Sequence, residues 1–244
     1  MDWRVPASLA LGAAALLGSA ALEGASLPFL LAAPTAALVL GGTAAASLLH
    51  SPPGLWGAAL RCALNVLRSA RPVPDRRRDF VRWTTLARRQ GLLALERTAD
   101  REAEPLLRQG LRNLADGGGF QRLHEGLEAL AETEVQPLEE AAELFEAAGG
   151  YAPIMGVVGA VLGLIQALQQ LEDPQAMGPG VASAFLATLY GLALANLVLL
   201  PLAGRLRLVA GQRRAVLSTY IDGLMAISRR EHPRRLGERL GLSP

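Results

Sequence analysis

Lysine is absent from this sequence, cysteine occurs once, histidine three times, and aromatic residues make up only 5% of the 244 positions. Each scarcity removes a class of chemistry. Without lysine there is neither a Walker-type phosphate loop nor a Schiff-base mechanism, so the Gly117-Gly118-Gly119 run reads as a loop between helices. The single Cys62 permits no intramolecular disulfide and reads as a structural thiol. His50, His124 and His232 are scattered along the chain and form no cluster with one another or with Cys62, which leaves no metal site to expect. These absences exclude lysine-based phosphate and imine chemistry and leave no resident cofactor to expect.

Apolar residues are abundant instead: 51% of side chains are hydrophobic and the mean hydropathy is +0.27, too much for an ordinary soluble domain. A helix crosses a hydrocarbon core of about 30 Å with roughly 17 to 25 apolar residues. Four stretches qualify, 5–22, 27–49, 151–171 and 181–204, and none contains Asp, Glu, Arg or His. The first resembles a signal peptide only superficially, because Asp2 precedes Arg4 and a longer apolar run follows at once; it reads as a retained span. The fold class expected is therefore an all-α membrane protein with four transmembrane helices.

All 24 basic residues are Arg, and they lie at Arg4, between Arg61 and Arg122, and between Arg205 and Arg239. The short loops near Glu23 and Glu172-Asp173 have none. Because Lys and Arg accumulate on the cytoplasmic side, those loops face the periplasm, while both termini and the long middle segment face the cytoplasm of a multi-pass inner-membrane protein. The domain plan is a transmembrane hairpin over 1–50, a cytoplasmic helical region over 51–148, a second transmembrane hairpin over 149–204, and a cytoplasmic C-terminal helix and tail over 205–244.

Within the cytoplasmic region Pro52-Pro53, Pro72-Val73-Pro74 and Asp116 to Gly119 are the breaks, which predicts helices near 54–70, 75–96, 100–114 and 119–148. Leu123, Leu127, Leu130, Leu138 and Phe145 form an apolar stripe on the last of these, with no breaker before Gly149-Gly150. That helix is expected to run on into the third span. Likewise Leu206, Val209, Val216, Tyr220, Leu224 and Ile227 carry the fourth span on to Glu231-His232-Pro233, where Pro233 reads as a hinge.

In the third span Ala152, Gly156, Gly159, Ala160, Gly163 and Ala167 recur at three- and four-residue spacing; the fourth has Ala184, Thr188, Gly191 and Ala195. Such stripes let helix backbones approach closely in lipid. They serve either to pack the two spans on each other or also to receive a helix from another protein. Thr188 taken alone reads as a hydroxyl bonded back to the Ala184 carbonyl, and Pro153 as a residue tolerated near a helix start.

The run from Ala148 to Arg207, with GGYAP, GPGVA and ATLYG in order, resembles the signature region of the MotA family of flagellar stator subunits. LEG at Leu22 to Gly24, LGGT at Leu40 to Thr43 and ARRQGLLALE at Ala87 to Glu96 extend the resemblance over nearly the whole chain, most weakly between Thr98 and Glu140. It implies a homo-oligomer, a pentamer, around a MotB-type one-span, peptidoglycan-binding partner whose membrane helix carries an essential Asp, and no nucleic acid. It further implies that the ion-channel or partner-facing residues are Pro153, Gly156, Ala160, Gly163, Thr188 and Gly191. Arg88, Arg89 and Glu96 would contact the flagellar rotor protein FliG. The translocated ion is expected to be H+, because Ala160 stands where some sodium-type relatives place a hydroxyl. The alternatives are an ExbB/TolQ-type energy transducer, whose members look like three-span proteins lacking the first hairpin, and a passive membrane channel.

Overall fold

The computed structural model describes residues 10–12, 14, 15, 18, 32–52, 54–68 and 75–241. Among them the regular elements are all helices: α1 (Ala33–His50), α2 (Leu55–Arg68), α3 (Arg77–Gln90), a 3-10 turn (Leu92–Leu95), α4 (Glu96–Arg101), α5 (Pro105–Ala115), α6 (Phe120–Leu168), α7 (Pro174–Ala193), a π-helical segment (Leu194–Leu199), α8 (Leu200–Ser228) and α9 (Pro233–Arg239). The span expected over 5–22 lies largely outside the described residues. Three helical runs among the described residues are long and apolar enough to cross a membrane: Ala33–His50, Phe120–Leu168 and Pro174–Ser228.

The chain divides into two compact units, one of residues 1–70 with 137–209, the other of 71–136 with 210–244. The core of the first joins Ala59 and Ala63 of α2 to Ala141, Ala142, Phe145 and Ala152 of α6 and to Ala195, Leu199 and Leu206. Alanine dominates because small side chains let helix axes approach closely, which multiplies the dispersion contacts between them. Trp56 adds an edge-to-face contact with Phe145, ring centroids 6.3 Å apart. α1 buries Thr35, Val39, Thr43 and Ser47, one residue per turn on a single face. Thr35 Oγ1 shares a 2.8 Å hydrogen bond with Ser183 Oγ, and the Ala32 N–H donates to the Tyr190 hydroxyl at 3.0 Å, so polar contacts fix α1 against α7.

The long helices behave as the patterning predicts, with two differences. α6 is one helix of 49 residues, carrying Pro137 and Pro153 in its interior. The run from α7 to α8 is also unbroken, but it contains the π segment, where the Leu200 N–H donates to the Ala195 carbonyl five residues back. Pro201 follows directly. A proline cannot donate to the carbonyl four residues earlier, and its ring crowds that turn, so a widened turn just before it relieves the clash. The second difference is the start of α7, which lies at Pro174 and not beyond Pro179. Asp173 caps it by accepting from the Gln175 N–H at 3.0 Å, and Pro174 occupies the first turn, where a missing N–H costs nothing.

In the second unit α3, α5, the start of α6 and the end of α8 bury Phe80, Leu107, Leu111, Leu127, Leu217 and Leu224, each at most 0% exposed. Phe80 stacks edge-on with Trp83, centroids 5.2 Å apart, and lies 6.0 Å from the Tyr220 ring. Two arginine clasps complete the unit. Arg76 binds Asp79 at 3.0 Å and Glu102 at 2.8 Å. The buried Glu102 carboxylate also accepts the Ala103 and Glu104 N–H groups, so its charge is fully answered. Arg213 binds Glu104 and Glu134, each at 2.6 Å. Burial lowers the Arg213 pKa, but the bonds to Glu134 and Glu104 outweigh it and hold the group above its ordinary value. Burial, then the Glu104 charge, push the neighbouring Tyr220 phenol up.

Two expected helices are not continuous: the stretch 100–114 is interrupted over 102–104, where α4 ends and Pro105 opens α5. The stretch 75–96 splits at Gly91, whose φ of +84° ends α3, and its N–H closes the last turn on the Ala87 carbonyl. A non-glycine residue is strained at that angle, so the break is written into the glycine.

Candidate functional site: the α6–α7 seam

The small residues of α6 and α7 meet face to face. A Cβ placed on Gly156 would lie 2.9 Å from the Ala187 carbonyl oxygen and 3.3 Å from the Cα atoms of Gly191 and Thr188. One on Gly163 would lie 2.7 Å from both Ala184 N and the Gly180 carbonyl oxygen, and one on Gly191 2.6 Å from the Ala152 carbonyl oxygen. These approaches leave no room for any side chain. Gly156, Gly163 and Gly191 are therefore buried inside this chain's own helix pair, and their direct contact is with the opposing helix backbone rather than an open surface. Gly180 and Ala187 complete the seam and were not singled out in the sequence, although Gly180, Ala184, Ala187 and Gly191 follow the same three- and four-residue spacing.

Thr188, Pro153 and Ala160 stay partly exposed at the margin of this seam. Gly156 touches the Thr188 backbone, and Pro153 and Ala160 stand three residues before and four after Gly156, within about 60° of it on the helix. The Thr188 hydroxyl donates to the Ala184 carbonyl at 3.4 Å, a long bond that leaves its lone pairs available. Beside these residues, Val157, Val161 and Leu164 of α6 and Phe185, Leu189 and Leu192 of α7 are exposed apolar side chains, Phe185 by 74%. A hydroxyl and a proline-interrupted backbone thus lie along an uncovered apolar face. No Asp or Glu occurs between Ala147 and Leu171 or between Pro174 and Gly204, so this chain places no carboxylate of its own on that face.

The profile of the MotA/TolQ/ExbB proton channel family matches residues 98–217. The chemotaxis protein PomA of Vibrio alginolyticus is 30% identical over 198 residues, 81% of this chain and 78% of that protein. This chain belongs to the MotA/TolQ/ExbB proton channel family. The motility protein A of Helicobacter pylori strain 26695 is 34% identical over 163 residues, 67% of this chain, and the match spans 63% of that protein's length. Among solved structures, C. jejuni MotAB superposes with a TM-score of 0.89 at 27% identity, covering 100% of this chain and 96% of that one.

Arg88 and Arg89 end α3 and Glu96 begins α4, all three exposed. The single helix expected over 75–96 would have carried all three; the break at Gly91 and the 3-10 turn that follows put Glu96 on a different helix from Arg88 and Arg89. Arg88 Nη1 donates to the Arg230 carbonyl at 3.2 Å, closing the end of α8, where Arg230 has a φ of +53°. Pro233 opens α9 at its first turn, behind a His232 cap whose Nδ1 accepts from the Arg234 N–H at 3.3 Å.

Proposed function

We propose that this protein is a flagellar stator subunit that forms an ion channel with a one-span, MotB-type partner and turns ion flow into torque on the rotor. The observation that carries the proposal is the Thr188 margin: a hydroxyl, Pro153 and Ala160 beside an exposed apolar face that has no acid of its own. An unpaired carboxylate at a bilayer centre costs about 2.5 to 3.5 kcal/mol or more, so an ion-binding acid is best supplied by a helix that docks against hydroxyl and backbone groups. In this reading a partner Asp lies against Thr188, protons are the translocated ions, and five copies surround the partner. One charge crossing 100 mV releases about 2.3 kcal/mol, enough to drive rotation in several small steps.

In this reading there are four spans, with residues 5–22 as the first, and both termini, residues 51–148 and residues 205–244 lie in the cytoplasm of a cell inner-membrane protein. Cysteines introduced at Ser26 and Gln175 in a Cys62→Ser background are expected to react with a periplasmic thiol reagent. One introduced at Gly118 is expected to stay unlabelled until the membrane is opened. Labelling of Gly118→Cys in intact cells would reverse the orientation.

Torque leaves through the cytoplasmic end, with Arg88, Arg89 and Glu96 facing the rotor protein FliG and Pro233 acting as the hinge between α8 and α9. A deletion strain is expected to stop swimming and to recover when the gene is restored. The doubly reversed Arg88→Glu, Glu96→Lys protein should insert and bind its partner yet leave cells non-motile, because exposed charges contribute only about 0 to 1 kcal/mol to folding. Normal swimming by the double mutant would remove this surface from the rotor contact.

A further inference from the structure

The second unit has two grooves of opposite charge, neither of which belongs to the Thr188 margin. The first, about 580 Å³, is lined by Glu125, Glu128, Glu132 and Asp222 over Val135 and Ile221. Arg214 is the one guanidinium on its wall among the described residues, and it lies 3.3 Å from Glu132. Among the described residues Glu125 accepts a 3.1 Å bond from Gln121, and Glu128 has His124 at 3.3 Å. The second groove, about 460 Å³, has Arg76, Arg82, Arg97 and Arg101 around Trp83 and Leu86. Its two carboxylates, Asp79 and Glu102, are both bound by Arg76. Arg82 stands 3.9 Å from Asp79 with its side chain 83% exposed, and no ion pair engages Arg97 or Arg101 among the described residues.

Each groove collects like charges that repel one another, and each holds what the other lacks. Guanidinium and carboxylate groups form the strongest charge-assisted pairs available to side chains, and every cation of this chain other than histidine is a guanidinium. A ring of identical subunits joined head to tail needs two different, mutually complementary patches on each copy, which is what an acidic and a basic groove on one unit provide. We propose that the arginine groove of one copy docks onto the acidic groove of a second copy, with Arg82, Arg97 and Arg101 reaching Glu125, Glu128 and Asp222. The proposal rests on the reading above that several copies assemble around a partner, and it states which cytoplasmic faces meet.

The test uses the full-length protein co-purified with its partner. In a Cys62→Ser background, Arg101→Cys combined with Glu128→Cys should give a ladder of disulfide-linked species under mild oxidation, and neither cysteine alone should do so. The reversal Arg97→Glu with Arg101→Glu should lower recovery of the assembled oligomer roughly tenfold or more, as should Glu125→Arg with Glu128→Arg. All four changes in one chain should restore it, because every junction again pairs opposite charges. No ladder, and full assembly of both reversed proteins in a strain whose wild-type protein assembles and swims, would overturn the groove contact and leave the stator reading intact. A wild-type chain that purifies as a monomer with its partner would overturn both.

Discussion

Gly163→Val is expected to yield almost no folded protein in the membrane, whereas Gly178→Val, fifteen residues away on the other side of the same hairpin, is expected to accumulate normally. The reason is what each new Cβ would meet. At Gly163 it would lie 2.7 Å from Ala184 N and the Gly180 oxygen and 3.0 Å from Ala184 Cα, all backbone atoms of α7 that cannot rotate aside. At Gly178 nothing lies within 4 Å. Relief at Gly163 would require the helices to separate, and Gly180 makes the same approach from the other side, 2.7 Å from Ala167 N. Overpacking of this kind costs about 3 kcal/mol or more, a large share of a typical stability of 5 to 15 kcal/mol. Size-exclusion profiles of the detergent-solubilised variants would decide the matter: a Gly163→Val peak equal to wild type would mean that the helices do not approach as closely as described.

The seam was legible in the sequence because its cause is periodic. Ala152, Gly156, Gly159, Gly163 and Ala167 recur at helical spacing, and a face made only of small residues has few uses other than close packing. Its exact occupant was not legible. Spacing alone left open whether a helix of this chain or of another protein fills the stripe, and only the distances from Gly156 and Gly163 to the α7 backbone and from Gly191 to the α6 backbone assign those three to the chain itself.

The misread segment followed from a single residue. ARRQGLLALE has the leucines and charges of an amphipathic helix, and a lone glycine is tolerated within one at a cost of about 1 kcal/mol. Whether Gly91 bends or ends the helix depends on the contacts of the leucines beyond it: Leu95 is fully buried while Leu93 is 70% exposed. The π segment before Pro201 is of the same kind, since a proline announces a disturbed turn but not whether the chain kinks or widens. The acidic groove unites residues nearly a hundred positions apart, such as Glu125 and Asp222, and no local pattern could have shown it.

Thr188→Val is expected to abolish swimming while leaving the complex with the partner intact. Valine matches threonine in shape, so the packing of Thr188 Cα against Gly156 is preserved and only the hydroxyl is lost. That hydroxyl makes one described bond, to the Ala184 carbonyl at 3.4 Å. A bond so long contributes about 1 kcal/mol or less, and the carbonyl keeps its place in the helix ladder when the bond is removed. Stability therefore predicts a nearly neutral change. An acid brought against this face by a partner helix gives the opposite expectation, because a carboxylate that must gain and lose a proton in a low-dielectric setting is sensitive to every hydrogen bond it makes, and each unit of pKa shift corresponds to about 1.4 kcal/mol. Thr188→Ser, which restores the hydroxyl and removes only a methyl group, should recover swimming if the oxygen is what matters. The measurements are co-purification of the partner, proton flux in cells overproducing both proteins, and swimming speed. A Thr188→Val strain that swims at wild-type speed would confine the hydroxyl to its bond with Ala184 and move the partner's acid to another part of the α6–α7 face. A Thr188→Val protein whose complex dissociates would make the hydroxyl a bond that holds the partner rather than one that tunes its acid, and the serine variant, with the same hydroxyl, would then restore assembly together with swimming.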